Sequence, residues 1–218
     1  MGETRVKHKQ ITFEQIMSME KQERVHFANS LGGYKSVGLI GTKNKNNQTN
    51  LAIVDSILHI GSNPPLFGIV FRPGVVERHT LENILETGFY TINHINEKIY
   101  KQAHQTSARY PRNCSEFDVT GLSPEYKNDF FAPFVKESNV QLAMEFNEKI
   151  TLSINNTVLL IGKVKDVYFP ENCLHKDGFL DLEKAASVTC SGLDSYYTTT
   201  RISRLSYAKP DKEITSLV

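Results

Sequence analysis

Asn50-Leu51-Ala52-Ile53-Val54-Asp55-Ser56 opens the stretch whose reading decides the fold. Gly61-Ser62-Asn63-Pro64-Pro65 follows, then Arg72-Pro73, and the stretch closes on Glu77-Arg78-His79-Thr80-Leu81-Glu82-Asn83. A strand-like segment with small polar side chains runs through a turn into an apolar strand. A cationic, hydroxyl-bearing helix start comes next. Small Ala52 lets a flat ring approach the backbone, while Asn50 and Ser56 offer amide and hydroxyl groups. The start of a helix leaves unpaired N–H groups and a positive dipole end, where Thr80 and Arg78 can meet a phosphate. Arg72 is a second cationic arm. The order suits a polar ring at one end and a phosphate at the other.

Working outward, the pattern is of many short strands. Phe13 to Gln22 has helical spacing with Thr12 as its cap. Tyr34 to Thr42 is a β candidate, 43–48 a polar hairpin turn, and Asn50 to His59 the returning strand. Leu66 to Phe71 is a buried strand between prolines. Thr80 to Glu86 makes one or two helical turns stopped by Gly88, Phe89 to Asn93 a strand, and Ile99 to His104 a second helical patch. The span from Pro111 to Pro133 is irregular and long enough to be functional or an interface arm. Val140 to Phe146, Lys149 to Asn155 and Thr157 to Tyr168 read as three strands, with a turn at Asn155-Asn156. A mainly β fold with helical additions, barrel or sandwich, follows.

Composition narrows the function classes. A chain of 218 residues with net charge +1 and 22% charged residues suggests neither a nucleic-acid protein nor an acidic tail. Cys114, Cys173 and Cys190 are odd in number and widely spaced, so neither a disulfide framework nor a zinc site is expected. The charged start, Met1 to Gln10, predicts no signal peptide, and no window is long and apolar enough for a membrane helix. A cytoplasmic protein fits these signs. Neither GxGxxG after a strand nor GxxxxGK[ST] occurs, which removes the usual dinucleotide and triphosphate loops.

Several ordered motifs resemble one family. They include Gly33-Tyr34-Lys35, Asn50-Leu51-Ala52 with Ser56, Asn63-Pro64-Pro65, Arg78-His79-Thr80 with Asn83-Ile84, and Gly88-Phe89 with Ile92-Asn93. Ala103-His104-Gln105-Thr106-Ser107, Ser115-Glu116-Phe117, Ala132-Pro133-Phe134, Ile161-Gly162-Lys163-Val164, Asp177-Gly178 and Gly192-Leu193-Asp194-Ser195-Tyr196-Tyr197 continue the series. Together they resemble the flavin reductase-like family of FMN-binding split β-barrels, its flavoredoxin-type members in particular. The resemblance implies a split-barrel domain over 30–210, an N-terminal arm and helix over 1–29, and a tail over 211–218. It implies a homodimer with FMN near the subunit interface, reduced by NADH or NADPH. The implied FMN residues are Asn50, Leu51, Ala52, Ser56, Arg72, Arg78, His79 and Thr80. Where other members carry an acidic residue before the Thr, this chain has His79.

The same residues have plainer readings. Asn50 and Ser56 suit an ordinary strand, and Thr80 an ordinary helix cap. His59 reads better as a structural hydrogen-bonder than as a catalyst. His104 with Ser107 lies where a nicotinamide would approach, and Tyr196-Tyr197 reads as interface or core packing. Because nicotinamide and flavin carry the chemistry, no catalytic triad is expected. The resemblance leaves two functions open beside a binding or storage role: an NAD(P)H:flavin oxidoreductase, or a flavoredoxin-like electron carrier serving a redox partner protein.

Overall fold

The computed structural model describes residues 6–73 and 78–217. Glu77 of the decisive stretch, the first residues of the arm and the last of the tail lie outside them. In chain order the elements are α1 (Phe13–Ser18), α2 (Lys21–Ser30), β1 (Lys35–Ser36), β2 (Gly38–Lys43), β3 (Thr49–Val54), β4 (Ile57–Ser62) and β5 (Pro65–Phe71). Then come α3 (His79–Thr87), β6 (Phe89–His94), α4 (Tyr100–Gln105), α5 (Glu116–Thr120), β7 (Pro124–Glu125) and β8 (Phe134–Val135). The chain ends with β9 (Gln141–Thr151), β10 (Val158–Tyr168), β11 (Thr189–Ser191) and β12 (Ser195–Tyr197).

Seven strands form one antiparallel sheet in the order β3-β2-β6-β9-β10-β5-β4. Its two edges, β3 and β4, are consecutive in the chain and joined by Asp55-Ser56 alone. Edges that far apart in the sheet can be that close in sequence only if the sheet curls round on itself, leaving a split between them. At the corner the Val70 amide donates to the Ser56 carbonyl across 3.2 Å. A bulge in β9 at Asn147 and another in β10 at Lys165 bend the two long strands and help the curl.

Strand alternation divides the core. Ile40, Ile69, Tyr90, Ile92, Met144 and Leu160 fill one side of the sheet. Leu39 and Leu51, one residue out of phase, point the other way and pack with Ile99, Ala103 and Phe117 from the α4–α5 segment. Gly41 and Gly162 are required by close approach. A Cβ on Gly41 would lie 2.2 Å from the Pro133 carbonyl oxygen, and one on Gly162 would lie 2.1 Å from the Tyr90 hydroxyl.

Four expectations change. The helix expected from Phe13 stops at Ser18 and a second one follows. Thr12 does cap α1, in a capping box with Gln15, and Arg24 from α2 donates to the Met17 and Met19 carbonyls at its end. The single strand expected from Asn50 to His59 breaks at Asp55-Ser56, because Asp55 is drawn to Lys35. The strands expected at 140–146 and 149–155 are one, β9. Polar Asn147, which reads as an interruption, is skipped in the pairing of Phe146 and Glu148 with Gly162 and Ile161. The irregular span 111–133 contains α5 and β7. Among the described residues no helix is long and apolar enough to cross a membrane.

Candidate functional site

The free edge of β3 is the floor of the site. Residues on an edge strand alternately point their N–H groups at the neighbouring strand and away from the sheet. Here the Leu51 amide donates to Glu116 Oε2 and the Ile53 amide to Thr106 Oγ1, each at 2.9 Å. The loop from α4 to α5 thus covers an edge that would otherwise template further strand pairing. Thr49 Oγ1 and Ser115 Oγ, 2.7 Å apart, add a third tie.

Alongside this edge lies a cavity of about 880 Å³. One end is built at the start of α3. Arg78 is the cap residue, and its own side chain makes no capping hydrogen bond. Thr80 is buried, and its Oγ1 accepts from Asn50 Nδ2 across 2.9 Å. Since Asn50 donates, the Thr80 hydroxyl proton stays available to an acceptor in the cavity. Arg72 and Arg78 both line this space, and Arg72 Nη2 also donates to Asn29 of α2.

At the other end is the β3–β4 corner, with Ala52, Val54, Asp55 and Ser56 on the wall. The Ser56 hydroxyl donates to the Val70 carbonyl at 3.1 Å, so its oxygen faces any ligand as an acceptor. Lys35 bonds both Asp55 and the Gly192 carbonyl, fastening the small β1-β11-β12 sheet against this corner. That sheet brings Cys190, Asp194 and Tyr196 to the cavity. His104, from α4, joins them with Nδ1 2.9 Å from the Tyr196 hydroxyl.

Seven of the eight expected residues line the cavity: Asn50, Ala52, Ser56, Arg72, Arg78, His79 and Thr80. Leu51 does not, because strand alternation sends its side chain into the core and its amide to Glu116. Asn50, placed at a ring edge by sequence, is instead committed to Thr80 at the helix end. His59 lies on β4 away from the cavity, edge-on to Phe67. Tyr196 and Tyr197 part company. Tyr196 lines the cavity, whereas Tyr197 packs edge-on against Tyr34. Of the cysteines, all free, Cys173 is core and Cys190 reaches the site.

Sequence reasoning passed over Glu116 as a site residue, although Ser115-Glu116-Phe117 was visible as a motif. The Glu116 carboxyl is buried, and burial raises its pKa against the opposing pull of the Leu51 amide and His79. Arg109 and Arg112 also line the cavity, and Arg112 is paired with Glu82 on α3. No cluster of potential metal ligands occurs among the described residues.

Comparison with known proteins is consistent along most of the chain. The profile of the family described as "Flavin reductase like domain" matches residues 34–184. A protein of known structure assigned as a flavin reductase with split barrel domain, from Shewanella frigidimarina NCIMB 400, is 51% identical. Its TM-score is 0.89, over 92% of this chain and 100% of that one. Nitrilotriacetate monooxygenase component B from Bacillus cereus is 20% identical with a TM-score of 0.78, over 90% of this chain and 98% of its own. The flavoredoxin of Desulfovibrio vulgaris (Miyazaki F) is 23% identical with a TM-score of 0.67, over 82% and 92%. These last two share the fold alone. The split β-barrel expected from sequence is the fold observed.

Proposed function

The chain belongs to the flavin reductase like family, and from that premise we propose that it binds FMN and passes a hydride to it from NADH or NADPH. One observation carries the reading. A single cavity has a donor-rich helix start at one end and a small-residue strand corner at the other, with the β3 edge running between them. From Asn50 to Ser56 an extended chain covers about 20 Å, enough to separate a phosphate from a fused ring.

The residues present fit the cofactor. Arg78 pairs with a phosphate, Thr80 donates its spare proton, and the first turn of α3 adds amide donors and a positive dipole. Asn50 holds the Thr80 hydroxyl in the rotamer that points that proton outward. Arg72, just past β5, and His79, in the first turn of α3, line the same cavity. Ala52 admits the ring to the strand, and the Ser56 oxygen accepts from a ring N–H. Leu51 serves through its buried side chain, which fixes the strand. Bound FMN supplies the hydride-accepting ring, so the protein's part is to hold it at close range to the nicotinamide and exclude water.

Two copies of the chain are proposed to associate. Support comes from apolar side chains left in solvent: Phe13 and Met17 on α1, and Ile202, Leu205, Tyr207 and Ile214 in the C-terminal segment. Titration of the flavin-free protein with FMN, read by flavin fluorescence, tests the cofactor. Failure to bind defeats the proposal. Anaerobic addition of NADH or NADPH to the loaded protein then tests the reductase. Bleaching of the flavin band by neither nucleotide, but by a reduced partner protein, moves the reading to a flavoredoxin-like carrier.

A further inference from the structure

Tyr196 and His104 form a pair that binding of a flavin does not need. The Tyr196 hydroxyl and His104 Nδ1 are 2.9 Å apart, and both residues line the cavity. The Tyr196 ring is held at an angle to Tyr100 and edge-on to His104. Its backbone is fixed in β12 opposite Cys190 of β11. Burial above all, with the carboxylates of Asp55 and Asp194 nearby, pushes its phenol up to about 12. A phenol so placed stays protonated at every physiological pH. Asp55 belongs to the strand corner, so the hydroxyl stands at the end of the cavity remote from Arg78 and Thr80, where the ring of the proposed cofactor would lie. His104 is an exposed residue.

From this geometry we propose that Tyr196 is a catalytic proton donor to a quinone bound over the reduced flavin, with His104 as the residue that orients and recharges it. The inference rests on the FMN reading above. A quinone takes up two electrons and two protons. Bound FMN, once reduced by NADH or NADPH, would supply the hydride and with it both electrons. The Tyr196 O–H bond breaks as a new O–H bond forms on the quinone oxygen, giving the hydroquinone. His104 Nδ1–H returns a proton to the phenolate, and Nε2 takes one from water. The direction requires the neutral His104 proton on Nδ1, so that Nδ1–H donates to the phenol oxygen and the phenol O–H points into the cavity.

The test separates proton-coupled from electron-only oxidation. Anaerobically reduced holoprotein is mixed rapidly with menadione, or with ferricyanide, which takes electrons without protons. Tyr196→Phe is expected to slow the menadione reaction about 100-fold, leaving the ferricyanide rate and the FMN dissociation constant as in wild type. His104→Ala should slow menadione likewise and be rescued by added imidazole. In the flavin-free protein, imidazole ¹⁵N shifts should place the His104 proton on Nδ1. An unchanged menadione rate in Tyr196→Phe, equal slowing with both oxidants, or a proton on Nε2 overturns the proposal while FMN binding stands. Absence of FMN binding in wild type overturns the flavin reading and this inference together.

Discussion

Asn50 Nδ2 donates to Thr80 Oγ1 across 2.9 Å, and both side chains are buried. This bond joins the edge strand of the barrel to the first turn of α3, thirty residues further on. It fixes which way the cavity runs. On the FMN reading proposed above, the helix end takes the anion, the Asp55-Ser56 corner is the other end, and the strand between them is the ruler. It also sets the hydroxyl of Thr80, one of whose lone pairs is taken by Asn50 while its proton is left available to an acceptor in the cavity.

Removing the anion-end donors should therefore weaken a phosphate-bearing ligand selectively. Arg78→Ala is expected to raise the FMN dissociation constant about 10- to 100-fold, the range for a charge-assisted bond. Riboflavin, which lacks the phosphate, should be bound equally by both proteins. Thr80→Val should weaken FMN as well and also destabilise the fold by about 1–3 kcal/mol, because the buried Asn50 amide loses its acceptor. Thr80→Ser keeps both functions and should resemble wild type. Fluorescence titrations with the two flavins decide. Equal losses for FMN and riboflavin would place the phosphate elsewhere.

At the opposite end, Ser56 gives its proton to the Val70 carbonyl at 3.1 Å, which leaves its oxygen as the acceptor proposed for the ring. Ser56→Ala loses a neutral hydrogen bond, and FMN and riboflavin affinity should both fall about three- to tenfold. This pattern is the inverse of the Arg78 result, since the loss is common to both flavins. Affinity unchanged for either flavin would remove Ser56 from the site.

Much of this was legible in the sequence, and the exceptions share a cause. The apolar run of β2 and the polar turn leading into β3 were visible, as was the helix start at Arg78-His79-Thr80, because those signals are local. The break at Asp55 was not, since an Asp inside an apolar run looks like a solvent-facing position. What breaks the strand is Lys35, twenty residues back and anchored also to Gly192. The break left at 147–148 is a bulge, because a polar interruption can end a strand or merely bulge it and only the partner strand tells the two apart. Glu116 showed as a motif without a role because its partner is the Leu51 amide, sixty-five residues away. Asn50 was assigned to the ring for the same reason, its partner being on another element.

The glycine at 162 carries a packing test. A Cβ there would meet Tyr90 at 2.1 Å from the hydroxyl and 2.9 Å from the ring carbon bearing it. Tyr90 is fully buried, and its hydroxyl has no hydrogen-bond partner among the described residues. Gly162→Ala should cost about 1–3 kcal/mol by overpacking. Tyr90→Phe removes an unpaired polar group and should not destabilise. Combining them should recover at least half of the loss, so the two changes are coupled. Urea denaturation of the four proteins measures this, and strict additivity would show that the hydroxyl is not the obstacle.

Glu116 offers a test by pH. Burial is the largest influence on its carboxyl and raises its pKa, outweighing the Leu51 amide bond and His79, which pull it down. The native chain therefore holds this proton to higher pH than the unfolded chain does. Between the ordinary carboxylate pKa and the raised one, the native state binds more protons, so stability from this group falls as pH rises. Above the raised value the penalty is constant. Glu116→Gln keeps an oxygen acceptor for the Leu51 amide and carries no charge. Its stability relative to wild type should thus grow from about pH 4 upward and then level off. Glu116→Ala leaves the Leu51 amide without its acceptor and should cost about 1–3 kcal/mol, least apparent at high pH where the wild type bears its own penalty. Urea midpoints of the flavin-free proteins across the range supply the curves. If wild type gains on Glu116→Gln as pH rises, the carboxyl is stabilised as an anion, and its burial is not what governs it.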